Sequence, residues 1–557
     1  MVLSKPLRSL LLGRNPLIKT LSSYSENHHN GSKNEYANYN SINAKTLPIL
    51  AGASLLGAYY LYDKTRTIHA DASHQINNVS LDRPRRPELP IYRSDDVKKH
   101  GKSSERIWVT FMDGVYDVTD FVISHPGGDK ILLAAGGPVD PFWALYAQHK
   151  TAEVFEILES LRIGTLHPDD LSNSKEVDAS DPFSTDPIRH PALVVNNEKP
   201  FNAEGPPSLI TDSFYTPNEL FFVRNHLPVP KTDKDSHILN IEGIGFNKPL
   251  TMSIKDLQSK YEEVTIVSVV QCAGNRRAEM NEYKKVAGLM WKGTAIGNAK
   301  WTGVRLRDVL IAHGVDPNSK SIKHVHMEGA DKDPTGTPYG ASIPFEKAMS
   351  PETVIAYRMN DVDIPADHGA PLRLIVPGNV GARQVKWLTM IRLSDVESPS
   401  HWQRKDYRVF SPHVQMGDEL DWDKVHSIQE YPIQCTFCVP STPITISREE
   451  EYVDVSGYAW SGGGRGIIRV EVSGDGGETW QSAELEQEPS QDAEHMWAWT
   501  LFKASVKIPQ DGSKMMLVAK ATDRSYNTQP ETPVGIWNVR GLLHNAWPRI
   551  EVTVTDE

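Results

Sequence analysis

The stretch Asp169 to Asp181, DDLSNSKEVDASD, constrains the fold more than any other part of the chain. It is polar and almost free of large apolar side chains, so it cannot bury enough surface to offset the entropy lost on ordering. Residues 169–182 therefore read as a hinge between separate cores. As a flexible coil, these fourteen residues span roughly 20 Å end to end, which lets the block before them relocate. At 557 residues the chain needs several cores in any case, since one domain takes roughly 150.

Before the hinge, Ile107-Trp-Val-Thr-Phe-Met reads as a strand, Asp113-Gly114 as a turn and Val115-Tyr-Asp-Val as a second strand, with short helical stretches following. Residues 85–168, compact in pattern from Ile91 to Pro168, form a small domain of their own. Residues 183–400 mix strands such as Val264 to Val270 with helices such as Ser253 to Tyr261, an α+β texture. From about Glu430 the texture turns to short alternating strands: Gly466 to Ser473, Trp497 to Leu501 and Lys514 to Ala519, with a Gly-Asp-Gly-Gly turn at 474–477. That pattern assigns residues 401–557 to an all-β sandwich.

The net charge of -12 excludes a general nucleic-acid binder, which needs basic surface against phosphate, and leaves room for a basic protein partner. Only Cys272, Cys435 and Cys438 occur, too few for a disulfide framework. The first twenty-five residues carry Lys5, Arg8, Arg14 and Lys19 and no acid, the composition of a mitochondrial presequence. Pro48 to Tyr62 is continuously apolar but shorter than the roughly 20 residues of a comfortable membrane span. Together, residues 1–66 resemble the two-part signals of intermembrane-space proteins, so the mature form is expected in that space without stable membrane insertion.

In the small domain, His125 precedes Pro-Gly-Gly within DVTDFVISHPGGDKILLAAGG, and His149 follows in FWALYAQHK. Two imidazoles flanking an apolar region are what a six-coordinate haem iron requires, with apolar walls to set its potential. His100 and His167 lie outside this pattern and read as solvated. The lead-in DGVYDVTDF and both histidines resemble cytochrome b5 across residues 91–168, which implies haem b held by His125 and His149.

In the central block, the strand from Thr265 ends in Gln271-Cys272-Ala-Gly-Asn-Arg-Arg. A cysteine at a strand's C-terminal end, followed by two arginines, is expected to be partly buried yet electropositive, with a stabilised thiolate suited to a soft metal. The surrounding words are FFVRNHLPVP (221–230), DPTGTPYGASIP (333–344), DHGAPLRLIVPG (367–378), GARQVKW (381–387), SHWQRKDY (400–407) and GYAWSGGGRGIIRVEVSGDGG (457–477). With QCAGNRR they resemble eukaryotic sulfite oxidases from about residue 85 to the end.

That resemblance implies three folds: a cytochrome b5-like α+β haem domain, a mixed α+β molybdopterin domain and an immunoglobulin-like sandwich through which two chains pair as a homodimer. It implies a molybdopterin cofactor whose molybdenum takes Cys272 as its one protein ligand, with further cofactor contacts from Phe221, Phe222, Val223, Arg224, Asn225, Asp331, His368, Arg373, Gln384, Val385 and Lys386. The cationic members suit a terminal phosphate. Asp333 stands two residues from Asp331 and is an alternative to it. Sulfite, a small dianion, implies a cluster of fixed charge: Arg224, Arg277 and Arg465, with Trp291 as a wall and Tyr339 donating a hydroxyl. Arg276 is an alternative to Arg277, and Arg465, in the glycine-rich turn of the sandwich, would close the site from the second domain.

The implied reaction is oxidation of sulfite to sulfate by oxygen-atom transfer, with electrons leaving singly through the haem to cytochrome c. Ile91 to Pro168 holds eleven Asp and Glu against eight Lys and Arg, a balance compatible with a basic partner. Nitrate reductase is the rival reading, but that family places its b5 domain after the sandwich and adds a flavin domain. Cys435-Thr-Phe-Cys438 has no place in the pattern: it lacks the further ligands of a zinc site and the βαβ setting of a redox dithiol, which leaves incidental thiols or a local disulfide.

Overall fold

Four short strands build the first sheet: β1 (Ile91–Tyr92), β2 (Trp108–Phe111), β3 (Gly114–Asp117) and β4 (Arg162–Leu166), in spatial order β1-β4-β3-β2. The computed structural model describes residue 86 and residues 88–556, apart from 126, 127, 146–148, 150, 172–181 and 334. The presequence, the apolar segment at 48–62 and most of the hinge lie outside them. Helix α1 (Ala152–Ser160) starts at Thr151, whose side chain accepts the Val154 N–H, and packs Leu158 into a core with Val109, Tyr116 and Trp143. The first residues of the segment read as a hinge, Asp169 to Leu171, are helical. Pro168–Leu171 is a helical turn, tied back by Asp170, which accepts the Ser94 N–H at 2.8 Å and pairs with Arg93 at 3.0 Å. His100 and His167 are not simply solvated: the His100 ring lies 3.6 Å from that of Trp108, and His167 meets Arg93 at 2.7 Å.

Beyond the hinge, two five-stranded sheets share the central block. One follows the order Glu263–Gln271, Ile296–Arg305, Val354–Met359 and Val362–Asp363, with Arg373–Ile375 also on Val354–Met359; the other follows Pro338–Pro344, His324–Lys332, Leu388–Ser394, Ile238–Gly243 and Leu250–Ser253. The strand β5 (Glu263–Gln271) alternates at its exposed start and is buried on both faces from Val267, where a second layer covers it. Helix Ile254–Lys260 is framed by a capping box in which the Ser253 hydroxyl accepts the Asp256 N–H and the Asp256 carboxylate accepts the Ser253 N–H.

The C-terminal block is the expected sandwich, a four-stranded sheet facing a five-stranded one around Phe437, Val455, Val470, Phe502, Leu517 and Val552. One strand starts later than the alternation suggests, at Thr500 rather than Trp497. Trp497 and Trp499 are drawn to the central block instead: Val269 N donates to Trp497 O, and Trp499 Nε1 donates to Phe214 O at 3.0 Å. No helix among the described residues is long and apolar enough to cross a membrane.

Candidate active site

Strand β5 ends by delivering Cys272 into a cleft, 6% exposed. Its N–H donates to Ala295 O at 2.9 Å, and its carbonyl accepts the Tyr431 hydroxyl at 3.1 Å. Burial pushes the thiol above its ordinary value, and the charges of Arg224 and Arg277 offset this only in part. The thiolate expected to be stabilised by electropositive surroundings is thus stabilised only in part, because desolvation outweighs the two guanidiniums.

One cleft collects Cys272 with Phe221, Phe222, Arg224, Asp331, Tyr339, His368, Arg373, Gln384, Val385 and Lys386. Val223 and Asn225 stand beside it: Val223 packs against Leu193 and Ala203, and buried Asn225 donates to Asp367 Oδ1 at 2.9 Å. Trp291, 1% exposed, packs in one apolar cluster with Phe221, Phe222 and Cys272. Asp331 is the cleft residue of the two candidates, while Asp333 caps an exposed turn through the Thr335 and Thr337 N–H groups.

The cations here are hydrogen-bonded to neutral groups. Arg224 donates to Asn202 Oδ1 at 3.1 Å and Asn225 O at 2.6 Å. Arg277 donates to the carbonyls of Arg540, Gly541 and Leu289, and Arg373 to those of Gln384 and His368. Lys386 donates to Asn225 and to Asp367 O. Among the described residues no ion pair joins any of the four to a carboxylate. Burial lowers Arg373 to about 9 and His368 to about 4, and shifts Lys386 down and Asp331 up. Asp331 Oδ1 is buried with no hydrogen-bond partner. Unpaired cations suit a phosphate, and an orphaned carboxylate oxygen suits a heterocyclic N–H, so the residues present fit a pterin phosphate cofactor on a thiolate-bound metal.

Of the two adjacent arginines, Arg277 is the one whose charge acts on the Cys272 thiol. Arg276 adopts φ 62°, and its guanidinium turns away to Glu279 and to Cys435 O at 3.0 Å. Arg465 does not enter the cleft: it is exposed, and its guanidinium lies over Gly463. The second domain closes the site by other means. Arg540, whose Nε is buried without a partner, holds Asp406 and adds its charge beside Arg277. The Tyr339 hydroxyl donates to Ala382 O at 2.9 Å, a wall contact, whereas Tyr407 lines the cleft with its hydroxyl 2.8 Å from His226 Nε2 and feels Arg224, Cys272 and Arg277. Tyr407, Arg540 and His226 are the residues that sequence reading missed, although Tyr407 ends the quoted word SHWQRKDY.

In the small domain the rings of His125 and His149 lie 6.2 Å apart between centroids and 12° from parallel. Two imidazoles each bound to one metal ion at about 2 Å place their centroids about 6 Å apart, so the pair fits a haem iron between them. The apolar cavity they share, about 480 Å³, is walled by Val109, Val118, Phe121, Ile131, Leu133, Phe142 and Trp143.

Three domain families match in sequence: a cytochrome b5-like heme/steroid binding domain at residues 93–167, an oxidoreductase molybdopterin binding domain at 226–402 and a Mo-co oxidoreductase dimerisation domain at 425–555. The chain is 50% identical to the mitochondrial sulfite oxidase of Rattus norvegicus over 83% of its own length and 84% of that protein's. It belongs to the sulfite oxidase family. The NAD(P)H nitrate reductase of Hordeum vulgare, 38% identical, covers 66% of the chain, which spans 42% of that enzyme. The crystal structure of the sulfane dehydrogenase SoxCD from Paracoccus pantotrophus superposes with a TM-score of 0.52 at 26% identity, over 63% of this chain and 83% of that one. As a member of the sulfite oxidase family the chain takes molybdenum–molybdopterin and haem b as its cofactors.

The Cys-x-x-Cys also resolves. Cys435 lies in the sandwich core and Cys438 in the cluster against the central block, on opposite faces of strand β6 (Gln434–Val439). Three residues along a strand separate their Cα atoms by about 10 Å, beyond disulfide reach. Both are free thiols.

Proposed function

We propose that the protein oxidises sulfite to sulfate at the Cys272 cleft and passes the electrons singly through the His125–His149 haem to cytochrome c. The observation that carries this reading is the set of buried guanidiniums at the thiol with no carboxylate among their partners, a fixed cationic hollow for a small dianion. When bound, the molybdenum cofactor supplies the oxygen atom and accepts the electron pair. The chain's own residues do the rest: Arg224 and Arg277 hold the sulfite oxygens, Arg540 adds its charge beside Arg277 while paired with Asp406, Tyr407 offers a hydroxyl donor, and Trp291 with Phe222 keeps the hollow dry. Phe221 to Asn225, Asp331, His368, Arg373 and Gln384 to Lys386 hold the cofactor. We place residues 85–171, 183–400 and 401–557 as the three domains, the last pairing two chains as a homodimer, and the mature protein in the mitochondrial intermembrane space. The acidic balance of Ile91 to Pro168 supports a basic acceptor. Sulfite-dependent reduction of cytochrome c, with nitrate as control, tests the reading. Turnover of nitrate instead of sulfite would refute it.

A further inference from the structure

The segment just after the hinge touches both cofactor sites. Arg189 lays its guanidinium fork on Asp367, with Nε to Oδ2 at 2.8 Å and Nη2 to Oδ1 at 2.9 Å, and Nη2 also reaches Asp186 at 2.8 Å. The guanidinium carbon stands 4.0 Å over the Phe201 ring. Asp367 is buried and lines the Cys272 cleft, where its carbonyl accepts the Lys386 ammonium at 2.7 Å. One residue after Arg189, the His190 ring meets Phe142 edge-on, centroids 4.7 Å apart and planes at 81°. Phe142 walls the haem cavity, as do Leu209 and Asp212 from the same side of the hinge as Arg189.

We propose that Arg189 is a positioning residue for electron transfer: by pinning residues 186–190 to Asp367, it fixes the platform on which the haem module docks. This rests on the functional reading above. The eleven residues from 172 to 182 tether the haem module to the central block and so keep it at high effective concentration. A bidentate arginine–carboxylate pair, shielded and backed by an aromatic face, supplies fixed geometry at residues 186–190. Each transfer moves one electron from the reduced metal centre to ferric haem, giving ferrous haem. Two such transfers follow each sulfite, and no atom or group moves with them.

The test uses the full holoenzyme. In Arg189→Met, stopped-flow reduction of haem by sulfite should slow by roughly tenfold or more as the docked population falls. Turnover with an artificial acceptor that takes electrons directly at molybdenum, the KM for sulfite, and both metal contents should hold. Arg189→Lys, which keeps the charge but not the fork, should fall between. Hydrogen exchange over residues 186–193 and at Phe142 and Trp143 should speed up, a readout independent of turnover. His190→Ala, which leaves Asp367 alone, should slow haem reduction in the same way. Unchanged haem reduction in both variants overturns the proposal, as does a parallel loss of molybdenum and direct-acceptor turnover in Arg189→Met, which would make this arginine part of the cofactor cradle. If the unmutated protein oxidises no sulfite with any acceptor, the functional reading itself fails, and that outcome is distinct from the others.

Discussion

At Cys272, desolvation raises the thiol while Arg224 and Arg277 oppose it, and a metal ion bound there would favour the thiolate. Cys272→Ser replaces a soft ligand by a harder and far less acidic one. Sulfite oxidation should be lost while the haem absorption spectrum and the dimer persist, measurable by cytochrome c reduction beside optical spectra and gel filtration. The anion pocket makes a sharper comparison. Arg540→Met deletes a charge beside Arg277, and charge-assisted hydrogen bonds contribute about 1.5–3 kcal/mol, so kcat/KM for sulfite should fall by about ten- to a hundredfold. Arg465→Met, at an exposed position, should leave it nearly unchanged. Steady-state kinetics on both variants decides between the two. Cys272 was legible in the chain because the words around it resemble those of a known family, while the strand end followed by Gly and Arg only suggested an electropositive setting. Arg540 and Tyr407 were not, since each gains its role only when the chain returns from far along the sequence: Arg277 donates to Arg540 O, and Tyr407 meets His226.

Between elements, the glycine-rich turn at 461–464 works through its glycines rather than through Arg465. Tyr431 N donates to Gly378 O, and Gly462 N donates to Tyr431 O, a short ladder that ties the sandwich to the central block while the Tyr431 hydroxyl holds Cys272 O. A Cβ on Gly462 would stand 2.3 Å from Tyr431 O and 2.6 Å from Gly378 O, both backbone atoms with little freedom to yield. Gly462→Ala should therefore cost about 1–3 kcal/mol by overpacking, read as a lower midpoint of thermal unfolding. Gly535→Ala, whose Cβ meets nothing within 4 Å, should show no such loss. Alternation of apolar residues revealed the sandwich strands, and the helix read over Ser253 to Tyr261 forms at Ile254–Lys260. The start of the strand at Thr500 was hidden, because the indoles of Trp497 and Trp499 answer to a neighbouring domain that local periodicity does not register.

Across the whole molecule, the proposed route runs from chemistry at Cys272 to electron exit at the haem. His125→Ala removes one axial imidazole, so cytochrome c reduction should stop while sulfite still reduces an acceptor that draws on molybdenum directly. If both activities vanish together, the haem is needed for folding rather than for conduction. The polar composition of Asp169 to Asp181 was the reason to expect a boundary there, but the seating of Phe142 against His190 could not be read from it, since docking depends on surfaces that only folding assembles. The placement of the cysteines matters to a protein that handles sulfite. Sulfite is a nucleophile that opens disulfides much as a thiolate does, leaving one sulfur as a thiol and the other as an S-sulfonate. With Cys435 and Cys438 on opposite faces of one strand and all three thiols buried, the chain holds together without an S–S bond for its own substrate to cleave.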